Sequence, residues 1–162
     1  MFMRAVLRAH SITDRLVFLA DSFEGLPVPD VDKFPVDSDC SLHEWEYLAV
    51  SLEDVKANLG RYGLLDDQVR FVKGWFRDTM PTLSGHPWAV IRLDGDMYES
   101  TMTVLENLYP GLSPGGYLIV DDYSIKRCRA AVEDYRRAHG IREEIQVVDW
   151  TGVYWRKESD AG

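Results

Sequence analysis

Three apolar runs, each stopped by an aspartate, constrain this chain more than any other feature. Residues 16–20 (LVFLA) end at Asp21, residues 88–93 (WAVIRL) end at Asp94-Gly95-Asp96, and residues 117–120 (YLIV) end at Asp121-Asp122. A short continuous apolar run is how a strand buried on both faces reads. A fourth short strand is expected at residues 69–72, broken by Gly74. Helical spacing lies between the runs. It covers residues 1–10, then Leu52, Val55, Leu59 and Tyr62 after a cap-like Ser51-x-x-Asp54. It returns at Tyr98, Thr101, Met102, Leu105 and Leu108 before Pro110, and at Ile125, Cys128, Val132 and Tyr135 before Gly140. Two last strands are expected at residues 144–148 and 153–155, joined by a tight turn at Thr151-Gly152. Strands alternating with helices predict an α/β fold with a doubly wound parallel sheet, which binds ligands beyond the carboxyl ends of its strands.

Residues 25–39 interrupt this alternation. They hold four prolines or glycines and four aspartates, so they are expected to form a loop, and a loop this long is commonly a lid or binding loop. The 162 residues suit one domain with a sizeable core, and 46% hydrophobic with 28% charged residues is ordinary for a globular α/β chain. A net charge of −9 excludes non-specific attraction to nucleic acid or an anionic membrane and favours divalent cations. The apolar start is too short to span a bilayer, and Cys40 and Cys128 have neither metal-ligand nor disulfide-framework spacing. A reduced, cytoplasmic setting is the expectation.

An aspartate at a strand end can simply cap the next helix or complement its dipole. Three such ends, two of them doubly acidic, point to chemistry. Asp94, Asp96, Asp121 and Asp122 come from strands that the topology can make neighbours, and carboxylates gathered so closely raise one another's pKa values. A bound cation removes that penalty, and oxygen donors without a His/Cys cluster favour Mg²⁺, Mn²⁺ or Ca²⁺. Such an ion can chelate vicinal hydroxyls and lower the pKa of one of them. Asp-x-Asp also occurs in metal-dependent glycosyltransferases, but that reading leaves Asp121-Asp122 without a task.

Four strings go further: residues 20–27 (ADSFEGLP), 69–76 (VRFVKGWF), 93–101 (LDGDMYEST) and 115–123 (GGYLIVDDY). Together with the terminal DWTGVYW at 149–155, they closely resemble the macrocin O-methyltransferase family, whose members methylate deoxysugar hydroxyls of macrolide and aminocoumarin antibiotics. The resemblance implies a Rossmann-like class I methyltransferase domain over residues 1–162. It also implies S-adenosyl-L-methionine and Mg²⁺ as cofactors and a glycosylated small molecule as partner, with self-association expected. It places the metal triad on Asp94, Asp121 and Asp122, with Asp94 also the general base. Asp96 is instead expected to turn toward the following helix. Asp21, flanked by Ser22 and Phe23, falls at the ribose-binding acid, and Gly74, Trp75 and Phe76 fall near the adenine. For Trp75, core packing is an equal alternative.

The same resemblance exposes a gap. The family's first strand and glycine-rich turn have no counterpart here, so the strands ending at Asp21 and Asp94 are each expected to lack a neighbour, and truncation is the favoured explanation. The competing non-enzyme reading is a binding or assembly module that kept the fold and lost turnover. His43 reads as a solvated surface histidine, and Arg127, Arg129, Arg136 and Arg137 as a solvated helix face.

Overall fold

The computed structural model describes residues 1–158. Its elements run α1 (Phe2–Ala9), β1 (Val17–Asp21), α2 (Leu52–Arg61), β2 (Val69–Lys73), α3 (Phe76–Thr79), β3 (Trp88–Leu93), α4 (Tyr98–Leu108), β4 (Leu112–Val120), α5 (Lys126–Ala138), β5 (Gln146–Val147) and β6 (Val153–Arg156). The chain divides into two compact units. The first holds Met1–Val28 and Ser41–Thr79, and the second holds Pro29–Cys40 with the described residues from Met80 onward.

In the first unit β1 and β2 pair in parallel, with Val17 opposite Val69 and Asp21 opposite Lys73. Helix α2 begins as its sequence dictates: the Ser51 hydroxyl accepts the Asp54 N–H at 3.1 Å and donates to the Asp54 carboxylate at 2.6 Å. Its apolar stripe buries Leu59 against Leu64 and Val69, while Tyr62, expected in that stripe, is exposed because the helix has ended there. Helix α1 is tied down by Arg4, a buried guanidinium that donates to both oxygens of Asp66 at 2.9 and 2.5 Å.

The second unit is a four-stranded sheet in the order β3-β4-β6-β5. β3 and β4 are parallel, whereas β6 runs antiparallel to both β4 and β5. β4 begins well before the expected residue 117, and Pro114-Gly115-Gly116, which has the composition of a turn, is carried within it as a register shift: Trp88 faces Leu112, but Val90 faces Tyr117. Gly115 adopts a φ of +82°, and a Cβ at Gly116 would lie 2.9 Å from the Ala89 carbonyl oxygen and 2.8 Å from that of Ser113. Glycine is therefore required for the strand to pass. β5 spans two residues only, shorter than expected. The turn before β6 forms where it is expected, closed by Asp149 Oδ1, which accepts from the N–H groups of Thr151 and Gly152 at 2.9 and 2.7 Å. Helices α4 and α5 pack on one another, and Trp155, fully buried, donates to the Tyr109 hydroxyl at 3.1 Å under the stacked guanidinium of Arg136. Burying one such side chain contributes roughly 1.5–3 kcal/mol.

Among the described residues the strands form these two sheets and not one, with β1 bonded only to β2 and β3 only to β4. No helix among them is long and apolar enough to cross a membrane.

Candidate active site

The parallel register of β3 and β4 sets Leu93 opposite Val120, and the Asp121 N–H donates to the Leu93 carbonyl at 3.0 Å. The two acidic strand ends are therefore side by side, the neighbouring placement that the topology allowed. Directly after Asp94 the chain makes a tight reversal in which Asp96 takes a left-handed φ of +55°. This conformation is uncommon outside glycine and best tolerated by asparagine and aspartate. Just before it, the N–H groups of Gly95 and Asp96 both donate to Asp122 Oδ2, at 3.0 and 3.1 Å. The second acid of Asp-x-Asp thus acts on the site through its main chain. Its carbonyl in turn accepts from Arg127 Nε at 3.2 Å, and the same guanidinium bonds Asp39 at 3.1 Å.

Burial and then the Asp122 charge push the Asp94 carboxyl above the ordinary carboxylate value, against the opposing pull of Arg92. Asp122 is raised by burial and by Asp96, opposed by the two backbone N–H groups it accepts. Asp96 is raised by burial and by Asp94, opposed by Arg127. Beneath them Cys128 is buried, bonded to Thr101 at 3.5 Å, and burial pushes its thiol up to about 12, an inert group.

Raised carboxyl pKa values have a consequence for stability. In the window above 3.8 the unfolded chain has released protons that the folded site still holds, so stability falls as pH rises through that window. Asp66 and Asp149, lowered chiefly by a side-chain bond from Arg4 and by backbone N–H groups respectively, act oppositely. Their contribution is lost only as pH falls below the same value, so the two effects separate. Thermal melts in chelator are expected to show the decline toward neutral pH, and Asp122→Asn to flatten it. A melting temperature that climbs steadily over this range in the wild type would contradict the assignment.

The fit of this donor set to a hard cation can be judged from its contacts. Asp94 and Asp122 are close enough to share a hydrogen bond when one is protonated, and their mutual repulsion is the penalty a dication relieves. Asp121 is held differently. Its Oδ2 accepts from Arg92, which also sits 3.0 Å from Asp94 Oδ2. Among the described residues no three His, Cys, Asp or Glu side chains converge as a ready-made cage. The oxygen chemistry fits Mg²⁺, with Asp121 engaged by a guanidinium.

The remaining predicted residues lie in the first unit, where β1 and β2 bring them together at one end. Asp21 is exposed, with Oδ1 accepting the Phe23 N–H at 2.6 Å. The Ser22 hydroxyl donates to the Gly25 carbonyl at 2.6 Å and accepts the Glu24 N–H, and Phe23, at φ +57°, is buried edge-on against Phe71. Gly74 donates to the Asp21 carbonyl at 2.9 Å with a φ of +142°, and a Cβ there would meet Thr79 at 2.9 Å. Trp75 and Phe76 are half-buried at the start of α3. An exposed carboxylate at the paired strand ends can accept from hydroxyl groups, while the space beside Gly74 is taken by Thr79.

Three residues of the second unit escaped sequence reasoning. Arg92 is one charge inside an apolar strand. Arg127, expected in solvent, is largely buried and braces the acidic reversal. Asp37, expected in a loop, is fully buried and accepts the N–H groups of Tyr98 and Glu99 at 2.8 and 3.0 Å, so this end of the loop is an anchor and not a free lid.

Residues 1–157 match the macrocin O-methyltransferase (TylF) family. The chain is 60% identical over 156 residues to the 8-demethyl-8-(2,3-dimethoxy-alpha-L-rhamnosyl)-tetracenomycin-C 4'-O-methyltransferase of Streptomyces olivaceus, covering 96% of this chain and 60% of the relative. It is 51% identical over 161 residues to the mycinamicin III 3''-O-methyltransferase of Micromonospora griseorubida, covering 98% and 63%. The solved structure of the O-methyltransferase NovP superposes with a TM-score of 0.94 at 48% identity, covering 97% of this chain and 66% of that one, which establishes the Rossmann-like class I fold. The chain thus spans about three-fifths of the length of these curated relatives. With four sequence strings, the paired acidic strand ends and the whole described fold in agreement, the chain belongs to the macrocin O-methyltransferase family.

Proposed function

We propose that this chain carries the hydroxyl-activating part of a Mg²⁺-dependent, S-adenosyl-L-methionine-dependent O-methyltransferase acting on a deoxysugar hydroxyl of a secondary metabolite. The observation that carries this reading is the side-by-side placement of Asp94 and Asp121-Asp122 at the ends of two bonded parallel strands. The 4'- and 3''-O-methyltransferases to which it is similar act, by their names, on a rhamnosyl-tetracenomycin and on mycinamicin III.

The first unit supplies the cofactor residues: Asp21 for the ribose hydroxyls, Ser22 and Phe23 beside it, and Gly74, Trp75 and Phe76 for the adenine. S-adenosyl-L-methionine, when bound, supplies an electrophilic methyl group. The second unit supplies the acids. A divalent ion held by Asp94, Asp121 and Asp122 would supply charge that makes a sugar hydroxyl more acidic. Asp94 accepts the hydroxyl proton, a task suited to a carboxylate at the end of its strand beside the other two acids. Arg127 and the main chain of Gly95 and Asp96 hold Asp122 in place while this happens.

Calorimetry on the full chain tests the reading. Heat of binding is expected for Mg²⁺ and for S-adenosyl-L-methionine, and a response to a nucleotide sugar alone would overturn it in favour of a glycosyltransferase. Tight Mg²⁺ binding with no cofactor binding would favour the assembly module. Asp121→Asn should abolish the rise in melting temperature produced by Mg²⁺, and an unchanged rise would remove Asp121 from the ligand set.

A further inference from the structure

The acidic site holds one cation of its own. A single nitrogen of Arg92, Nη2, bonds Asp121 Oδ2 and lies 3.0 Å from Asp94 Oδ2, so it joins carboxylates from two strands. Arg92 and Asp94 are two residues apart along one extended segment and so project to the same side. The other guanidinium nearby, Arg127, is committed to Asp39 and to the Asp96 carbonyl. The Arg92 side chain is 48% exposed, and the two carboxylates hold its end.

We propose that Arg92 is a resident counter-ion that a divalent cation displaces when it gathers Asp94, Asp121 and Asp122, so that Arg92 sets the ion affinity of the site. The proposal rests on the functional reading above, in which those three carboxylates hold the ion. Magnesium needs its oxygens at roughly 2.0–2.1 Å, and the Arg92 guanidinium already draws on one oxygen each of Asp94 and Asp121 with a charge of the same sign as the ion. The guanidinium and the ion therefore compete for Asp121 Oδ2 and Asp94 Oδ2. When two occupants exclude each other, apparent affinity equals the intrinsic affinity multiplied by the fraction of molecules in which the first has left. Once swung away on its flexible stem, the guanidinium remains a positive charge beside a dication and lowers affinity again. Both effects have the same sign. In return, the ion-free chain does not leave its crowded acids unopposed.

Titration calorimetry with Mg²⁺ on the full chain at low ionic strength, comparing wild type with Arg92→Gln and Arg92→Lys, tests this. The Gln variant is expected to bind Mg²⁺ about tenfold more tightly than wild type, as removal of a predominantly closed competitor requires. The Lys variant, which keeps the charge, should stay within about threefold of wild type. In chelator the Gln variant should melt below wild type, and saturating Mg²⁺ should close that gap. Equal or weaker Mg²⁺ binding by the Gln variant, with binding intact in wild type, would overturn the proposal and leave the functional reading standing. Absence of Mg²⁺ binding in all three proteins would overturn that reading, and the counter-ion role with it.

Discussion

Asp94→Asn is expected to reduce methyl transfer to a deoxysugar glycoside by about 10²–10⁴-fold in kcat, the range for loss of a positioned general base. Asparagine has the same shape and keeps an oxygen near Arg92, so strand β3 and its pairing with β4 should be unaffected. What it lacks is the capacity to take a proton, together with one of the negative charges that oppose Asp122. The defect should lie in kcat more than in KM, because the base acts after the acceptor is seated. Its signature is in the pH profile: the limb of wild-type kcat/KM that reports loss of the proton from the base should be absent from the variant. Transfer of labelled methyl from S-adenosyl-L-methionine measures both. A variant that keeps more than about a tenth of the wild-type kcat would move the base elsewhere, with Asp122 the next carboxylate in line.

The second large effect is on folding. Helix α4 opens at Met97, whose side chain cannot cap it, so the first N–H groups of the helix lack a local partner. Asp37 takes their place from 61 and 62 residues away, giving one oxygen to Tyr98 and the other to Glu99 with no exposure to water. Its charge also complements the positive end of the helix. Asp37→Ala removes both acceptors and leaves two buried donors unpaired. Bonds to a charged group contribute about 1.5–3 kcal/mol each and are only partly additive, so a loss of about 3 kcal/mol is expected in urea unfolding. Asp37→Asn keeps one acceptor and should lie between. A loss under about 1 kcal/mol for the alanine variant would mean that α4 finds its cap elsewhere. The effect also reaches the chemistry, because the helix that Asp37 holds begins two residues after the Gly95-Asp96 reversal that clasps Asp122.

What the sequence revealed depended on how local the cause was. Asp94 and Asp121 were legible because each stops an apolar run, and a buried strand has no structural need of a carboxylate at its end. Helix α2 was legible because Ser51 and Asp54 sit at cap spacing. Asp37 was not, since its partners lie a third of the chain away and a loop aspartate has many possible roles. Arg92 was not, because a single charge in a strand reads as a solvent-facing position until the neighbouring strand is known. The span of β4 was misread for a different reason. Pro114-Gly115-Gly116 has the composition of a turn, yet strand pairing with β3 carries the chain straight through it, with Gly115 and Gly116 absorbing the irregularity. Arg127 was assigned to solvent from the overall pattern of α5, when its actual role comes from the Asp39 carboxylate and Asp96 carbonyl placed next to that helix.

The left-handed backbone at Asp96 alters what its position in the Asp-x-Asp string demands. The site draws on two N–H groups just before the Asp96 N–Cα bond, and the positive φ at that bond turns the chain away from them toward α4. Membership at position 96 is thus a matter of shape before charge. Glycine, which has no side chain, and asparagine, which is neutral, satisfy it. Glutamate keeps the charge but resists the conformation, and a β-branched residue resists it more strongly. Two chains that differ there by aspartate and glycine can therefore make the same exit from the clasp on Asp122 into α4, while a chain with glutamate, closer in formal chemistry, makes it only under strain.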